Sequence, residues 1–153
     1  MMILALCLVT ALVTAARPME KPFRLEGRVY CDTCRAGFET SFTTPIAGAE
    51  VKVECKNRET QELLYSIGAT TDSKGKYEIK VREDHANQLC DVMLVSSPQS
   101  DCAKPDSGRD RSRVILTGNN GISSYNRFAN AMGFLKDKPL AGCQQLLQQY
   151  EQE

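Results

Sequence analysis

The side chains with the most chemical potential in this sequence are its seven cysteines. Two of them form Cys31-Asp32-Thr33-Cys34, a spacing used both by thiol–disulfide oxidoreductases and by zinc sites. A redox pair needs its first cysteine at a helix N-terminus, where the helix dipole lowers the thiol pKa. Here Cys31 ends a run in which Phe23, Leu25, Gly27, Val29 and Cys31 share one parity, which is the pattern of a strand. A zinc site would need a second close pair of ligands, but no second C-x-x-C exists and His85 is the only histidine. Disulfide bonding is therefore the expected use of these thiols. His85 lies in the polar stretch Arg82-Glu83-Asp84-His85-Ala86-Asn87 and is expected to be an exposed loop residue.

The densest basic cluster is Arg109-Asp110-Arg111-Ser112-Arg113. Guanidinium groups pair with carboxylates bidentately, so Arg109, Arg111 and Arg113 could grip an acidic polysaccharide or an acidic receptor face. Asp106 and Asp110 weaken the local field, and a solvated loop is the plainer reading. No G-x-S-x-G, H-E-x-x-H or phosphate-cradling glycine loop is present, and the carboxylates are scattered along alternating strands. No catalytic residue, metal ligand or cofactor site is nominated, and the chain is expected not to be an enzyme.

Residues 1–16 carry no charge, are almost wholly apolar from Ile3 to Val13, and end in Thr14-Ala15-Ala16 before Arg17-Pro18. This is an apolar core followed by a small-residue cleavage site, expected to be a signal peptide. It is shorter than the roughly 20 residues a membrane-spanning helix requires. Residues 17–153 then form one domain without a membrane span, in the extracellular space. The 19 Lys+Arg balance the 19 Asp+Glu, which argues against a general nucleic-acid binder. Cys7 leaves with the leader, so Cys31, Cys34, Cys55, Cys90, Cys102 and Cys143 remain. An even number in an oxidising compartment reads as three disulfides, with 15 pairings open.

Period-two alternation recurs downstream. Ala49, Val51, Val53 and Cys55 face one way, and Leu63, Tyr65, Ile67 and Ala69 continue the pattern. Asp72-Ser73-Lys74-Gly75 supplies a turn, with Gly75 suited to positive φ, and Tyr77, Ile79 and Val81 follow as the expected second arm of a hairpin. Val92-Met93-Leu94-Val95 is apolar at both parities, as for a central strand covered on both faces. Residues 99–113 are expected to be a long loop, Val114-Ile115-Leu116 a short strand, Gly118-Asn119-Asn120-Gly121 a turn, and Ala141 to Tyr150 one short helix. Short strands separated by turns predict an all-β, disulfide-stapled antiparallel sandwich or barrel.

The segment Glu26-Gly27-Arg28-Val29-Tyr30-Cys31-Asp32-Thr33-Cys34-Arg35 resembles the signature of the Ole e I-like pollen protein family at every position. The spacing of the six cysteines, and Ala131-Met132-Gly133-Phe134-Leu135-Lys136 before Cys143, are similar to the family's as well. The resemblance implies a β-barrel or sandwich and the pairing Cys31–Cys102, Cys34–Cys143 and Cys55–Cys90. Glycosylated members carry an N-glycosylation sequon. None of Asn57, Asn87, Asn119, Asn120, Asn126 or Asn130 has Ser or Thr two residues on, so N-linked glycan is not expected here.

The resemblance further implies expression in pollen, anther or related tissue and a part in pollen-tube growth or extracellular signalling. The expected activity is binding, by loops 35–45 and 99–113 on a rigid scaffold, to an extracellular protein receptor or a cell-wall polysaccharide. The alternative is a secreted protease inhibitor presenting Lys104 near Cys102, although Pro105 directly after the basic residue suits a trypsin-like enzyme poorly.

Overall fold

A computed structural model describes residues 21–118 and 121–152. The expected leader, residues 1–16, lies outside the described residues, as do Asn119 and Asn120 of the expected turn.

Among the described residues, ten strands form two sheets that face each other as a sandwich, and one helix follows them. The first sheet is built around β1 (Phe23–Asp32), which changes neighbours half-way along. Its first half pairs antiparallel with β5 (Lys76–Val81) and parallel with β9 (Asn126–Phe128). Its second half pairs antiparallel with β2 (Thr44–Pro45) and parallel with β10 (Met132–Leu135), which in turn carries β7 (Lys104–Pro105). The second sheet has the order β4 (Leu63–Thr70), β3 (Glu50–Asn57), β6 (Gln88–Ser96), β8 (Arg111–Val114), all antiparallel.

The alternation explains what each sheet buries. Val51, Val53 and Cys55 of β3 and Tyr77, Ile79 and Val81 of β5 point inward, while Lys52 and Glu54 pair at 2.8 Å on the outer face. Leu25 and Val29 from β1 and Met132 and Phe134 from β10 meet Val53, Val92 and Val81 in one core. Burying one such aliphatic or aromatic side chain is worth about 1.5–3 kcal/mol, so this face dominates the stability of the domain. From Tyr30 to Asp32, β1 is buried at both parities, because the segments after it fold back over its outer side.

Several sequence expectations are corrected. The turn at Asp72–Gly75 does not close a hairpin: β4 pairs with β3 and β5 with β1, so the turn carries the chain from one sheet to the other. Thr71 anchors the crossing. Its hydroxyl donates to the Ile46 carbonyl (2.6 Å) and accepts from the Ala49 N–H (2.9 Å). Gly75 has φ 75°, and a β-carbon there would meet the Val29 carbonyl oxygen at 2.6 Å. The Asp72 carboxylate accepts from the Lys76 and Lys74 N–H groups (both 2.9 Å), which holds its pKa below the usual carboxylate range.

The expected loop 99–113 contains β7 and most of β8, and the strand near residue 114 starts and ends earlier than its apolar residues suggest. Arg111 and Arg113 alternate with the buried Ser112 and Val114, so charges on the outer face of an edge strand hid the period. Within β6, Val92 is buried, Met93 and Leu94 are half-buried and Val95 is exposed. The other sheet covers only one face of this central strand. The C-terminal helix α1 spans Cys143–Tyr150 after Gly142, with Leu146 buried.

The strands β9 and β10 carry no strong periodicity and escape a sequence reading. Arg127 of β9 is buried, and its guanidinium donates to the carbonyls of Ile115 (2.8 Å), Thr117 (3.0 Å), Asn126 (3.0 Å) and Ser124 while lying 4.9 Å from the Phe23 ring centroid. Carbonyl dipoles supply the acceptors that a buried arginine needs.

Candidate functional site

Cys31 and Cys34 are three residues apart but point to different parts of the molecule. Cys31 ends β1 in the core and bonds Cys102, while Cys34 lies in the following turn and bonds Cys143 at the start of α1. Cys55 and Cys90 face each other directly across β3 and β6 and form the third bridge. The six sulfurs are thus committed to structure. Chain-entropy arguments give about 4–5 kcal/mol per bridge as an upper figure for loops of this length.

The turn after β1 is fixed in detail. The Asp32 carboxylate accepts from the N–H groups of Ala36 (2.9 Å) and Gly37 (2.8 Å), Thr33 Oγ1 donates to the Phe42 carbonyl (2.7 Å), and Arg35 Nη1 donates to the Lys136 carbonyl (2.9 Å). Loop 35–45 is therefore held rigidly beside α1, where Phe38 meets Tyr150 edge-on at 5.2 Å.

Glu39 of that loop and Gly108, Arg109 and Arg111 of the other line one cleft of about 420 Å³, with Arg28, Asn130 and Ala131 completing it. Arg28 pairs with Glu39 at 2.7 Å. Arg109 Nη1 donates to the Tyr30 hydroxyl at 3.1 Å. Burial raises the pKa of that phenol, and the guanidinium partly offsets the rise. Among the described residues Arg111 makes only a long contact, 3.7 Å, with Asp110, and it is the least committed cation of the three. Arg113 lies elsewhere, paired with Asp91 at 2.8 Å on the outer face of the second sheet. The basic segment thus divides: two of its arginines face the cleft, one does not, and Arg28 joins them from a strand about eighty residues upstream. Arg28 lies in the signature-like segment 26–35, but only the outward parity of β1 says that its side chain faces away from the core.

A larger cleft, about 730 Å³, opens at the start of β1 between Lys21, Arg24, Glu78, Lys80 and Tyr125. Arg24 is already held there by both oxygens of Glu78, at 3.2 and 2.7 Å. Lys104, the residue considered for protease engagement, is exposed in β7, and the pairing of Lys104 and Pro105 with Leu135 and Phe134 ties its backbone to β10.

His85 corrects the sequence reading. It is buried, 4% exposed, because the segment 82–87 folds over the end of the second sheet and its N–H donates to the Leu116 carbonyl (2.8 Å). Its ring lies 4.6 Å from that of Tyr65, and Nδ1 is 2.8 Å from Gln88 Oε1. An imidazole nitrogen and the sulfurs of Cys55 and Cys90 lie within 4.8 Å of one another. Those sulfurs are bonded to each other and offer no thiolate, so the trio is a packing cluster and not a ligand set.

The family model described as "Pollen protein Ole e 1 like" matches residues 21–151. The chain belongs to the Ole e 1-like pollen protein family. It is 45% identical to pollen-specific protein C13 of Zea mays over 99% of this chain and 89% of the maize protein. It is 46% identical to the protein DOWNSTREAM OF FLC of Arabidopsis thaliana, over 97% and 90%, and 41% identical to anther-specific protein LAT52 of Solanum lycopersicum, over 94% and 88%. The crystal structure of the major plantain pollen allergen Pla l 1 superposes with TM-score 0.70 at 31% identity, covering 80% of this chain and 99% of the plantain protein. This Ole e 1-like fold is mostly strand and has no closed barrel, so of the two architectures expected it is the sandwich. Among the described residues no helix is long and apolar enough to cross a membrane.

Proposed function

We propose that this chain is a secreted, non-catalytic extracellular module that binds an acidic partner at the plant cell surface or in the wall, in pollen or related tissue, through the Arg28–Arg109–Arg111 cleft. The observation that carries the reading is the convergence of loops 35–45 and 99–113 on one cleft with three guanidinium groups and a single lining carboxylate, Glu39. Guanidinium forks bind carboxylates bidentately, and a ligand carboxylate would take up the donors of Arg111 and compete with Glu39 for Arg28. Disulfides on either side hold the loops in place, which lowers the ordering cost of binding. Acidic cell-wall polysaccharide and the acidic face of a receptor both fit this chemistry, as does a role in pollen-tube growth or extracellular signalling.

Two features support a binding role over a catalytic one. The imidazole of His85 is buried with Nδ1 engaged by Gln88, and the cysteines of the domain are paired. Secretion is supported by the same three bridges, which persist in oxidising compartments, and by the pollen-specific relatives.

The test is calorimetric titration of oligogalacturonate into the secreted protein, at low and at physiological ionic strength, alongside Arg109→Ala/Arg111→Ala. Binding that weakens with salt and falls by about tenfold or more in the double variant is expected. Loss of no affinity in that variant would place the partner elsewhere. Failure of both uronate oligomers and pollen-tube surfaces to retain the protein would remove the reading altogether.

A further inference from the structure

Sheet edges expose unpaired N–H and C=O groups, and folded proteins blunt them with short strands, proline or charge. Among the described residues, five of the six edge strands are blunted so. The edge strands β2 and β7 are two residues long and each carries a proline, Pro45 and Pro105. The strand β9 is three residues long, β8 presents Arg111 and Arg113, and β5 presents Lys76, Glu78 and Lys80. The exception is β4. Its sequence, Leu63-Leu64-Tyr65-Ser66-Ile67-Gly68-Ala69-Thr70, is eight residues long without a charge or a proline, and it pairs only with β3.

The ladder fixes which groups face outward. The Thr71 N–H donates to the Ala49 carbonyl at 2.9 Å, so in the antiparallel alternation residues 69, 67 and 65 turn their backbone groups toward β3. Ser66, Gly68 and Thr70 turn theirs to the open edge. Their side chains are small and exposed, so a second backbone can approach without obstruction.

We propose that β4 is a self-association edge, at which a second copy of this chain pairs antiparallel with β4 about a twofold axis near Gly68. Such an interface is isologous: Gly68 faces its own copy, and Ser66 faces Thr70 of the other molecule in both directions. The flanking charges favour this occupant and orientation. The turn before β4 holds Arg58, Glu59 and Glu62, with acids in excess, while the turn after it and the first residue of β5 together hold Asp72, Lys74 and Lys76, with bases in excess. Antiparallel pairing sets the acidic end of one copy beside the basic end of the other, whereas parallel pairing would oppose like ends. The inference is independent of the arginine cleft.

The test uses the full chain secreted from a eukaryotic host, measured by sedimentation equilibrium over a wide range of concentration. A monomer–dimer equilibrium is expected, and Ser66→Lys/Thr70→Lys, which sets lysines opposite each other twice, should weaken it by about tenfold or more. Ile115→Lys, at an exposed position just beyond β8 on the far side of the same sheet, should leave it unchanged. Amide hydrogen exchange gives a second readout without mutation: the Ser66, Gly68 and Thr70 amides should slow as concentration rises. A protein that stays monomeric at every concentration overturns the proposal, including in favour of an unrelated extended peptide as the occupant. So does a dimer indifferent to the lysines, or one whose formation leaves those three amides unprotected.

Discussion

Gly27 and Tyr77 face each other across the β1–β5 ladder, and a β-carbon at position 27 would stand 2.2 Å from the Tyr77 hydroxyl oxygen and 2.4 Å from Cζ. The tyrosine ring lies over the glycine and fills the space a side chain would occupy. Gly27→Ala should therefore destabilise the domain by about 1–3 kcal/mol, the usual cost of overpacking a filled site. Urea unfolding of the two proteins measures it, and equal midpoints would mean that the ring moves aside freely.

The hydroxyl of Tyr77 gives a prediction of opposite sign. It is buried without a hydrogen-bond partner, and burial pushes its pKa well above the ordinary value of 10.0. Tyr77→Phe removes an unsatisfied polar atom from the interior and should stabilise the fold, or leave it unchanged, by up to about 1 kcal/mol at neutral pH. The pH dependence follows from the raised pKa. The folded state keeps this phenol neutral, so its contribution is complete below the unfolded pKa and declines as pH rises above about 10, by up to roughly 1.4 kcal/mol per pH unit. Tyr77→Phe should lose that share of alkaline destabilisation while Tyr30 and Tyr65, also raised by burial, keep theirs. Unfolding free energies at pH 8 and 11 decide it: identical slopes for both proteins would show that Tyr77 ionises in place.

The strand pattern was readable because β3, β5 and β1 as far as Val29 each bury one parity, and Val29, Val53 and Ile79 announce it without help from the rest of the chain. What could not be read was the partner of each strand. Asp72 to Gly75 has the composition of a tight hairpin turn, yet the choice between closing a ladder and crossing between sheets is made by Thr71, whose hydroxyl binds backbone 25 residues away at Ile46. The arginine cleft was half legible for the same reason. Arg109 and Arg111 stand out as a cluster, whereas Arg28 becomes their neighbour only when β1 is laid beside the loop that follows β7. The polar context of His85 pointed outward because the sequence does not show that the Leu116 backbone and Gln88 side chain await it.

That burial of His85 is itself testable. His85→Ala would open a void against Tyr65 and the Cys55–Cys90 bridge and leave Gln88 Oε1 without its partner, for a loss of about 2–4 kcal/mol. Glu83→Ala, two residues earlier and exposed, should change stability by no more than about 0.5 kcal/mol. Thermal unfolding of both variants compares them, and a His85→Ala midpoint as high as that of Glu83→Ala would return the histidine to the surface.

The bridge beside His85 allows a thermodynamic test of connectivity. Cys55 and Cys90 are opposed in the β3–β6 register, with Cα atoms 4.0 Å apart. Closing this loop removes conformations from the unfolded chain, so Cys55→Ser alone should lower stability by about 2–4 kcal/mol, and Cys90→Ser by a similar amount. Either change abolishes the same constraint, and the second can then remove nothing further except its own small packing term. The double substitution should therefore cost about as much as either single one, a coupling nearly equal to the whole single-variant loss. A free thiol left by a single change could pair wrongly during secretion, so the singles are best compared after intact-mass analysis shows one unpaired cysteine. The double variant carries no such ambiguity. Its remaining bridges, Cys31–Cys102 and Cys34–Cys143, hold the first sheet and α1, and the four strands of the second sheet should loosen first. Hydrogen exchange in that variant should accelerate in β3, β4 and β6 ahead of β1 and β10. Additive losses in the two single variants would instead mean that each cysteine stabilises the domain through a different partner.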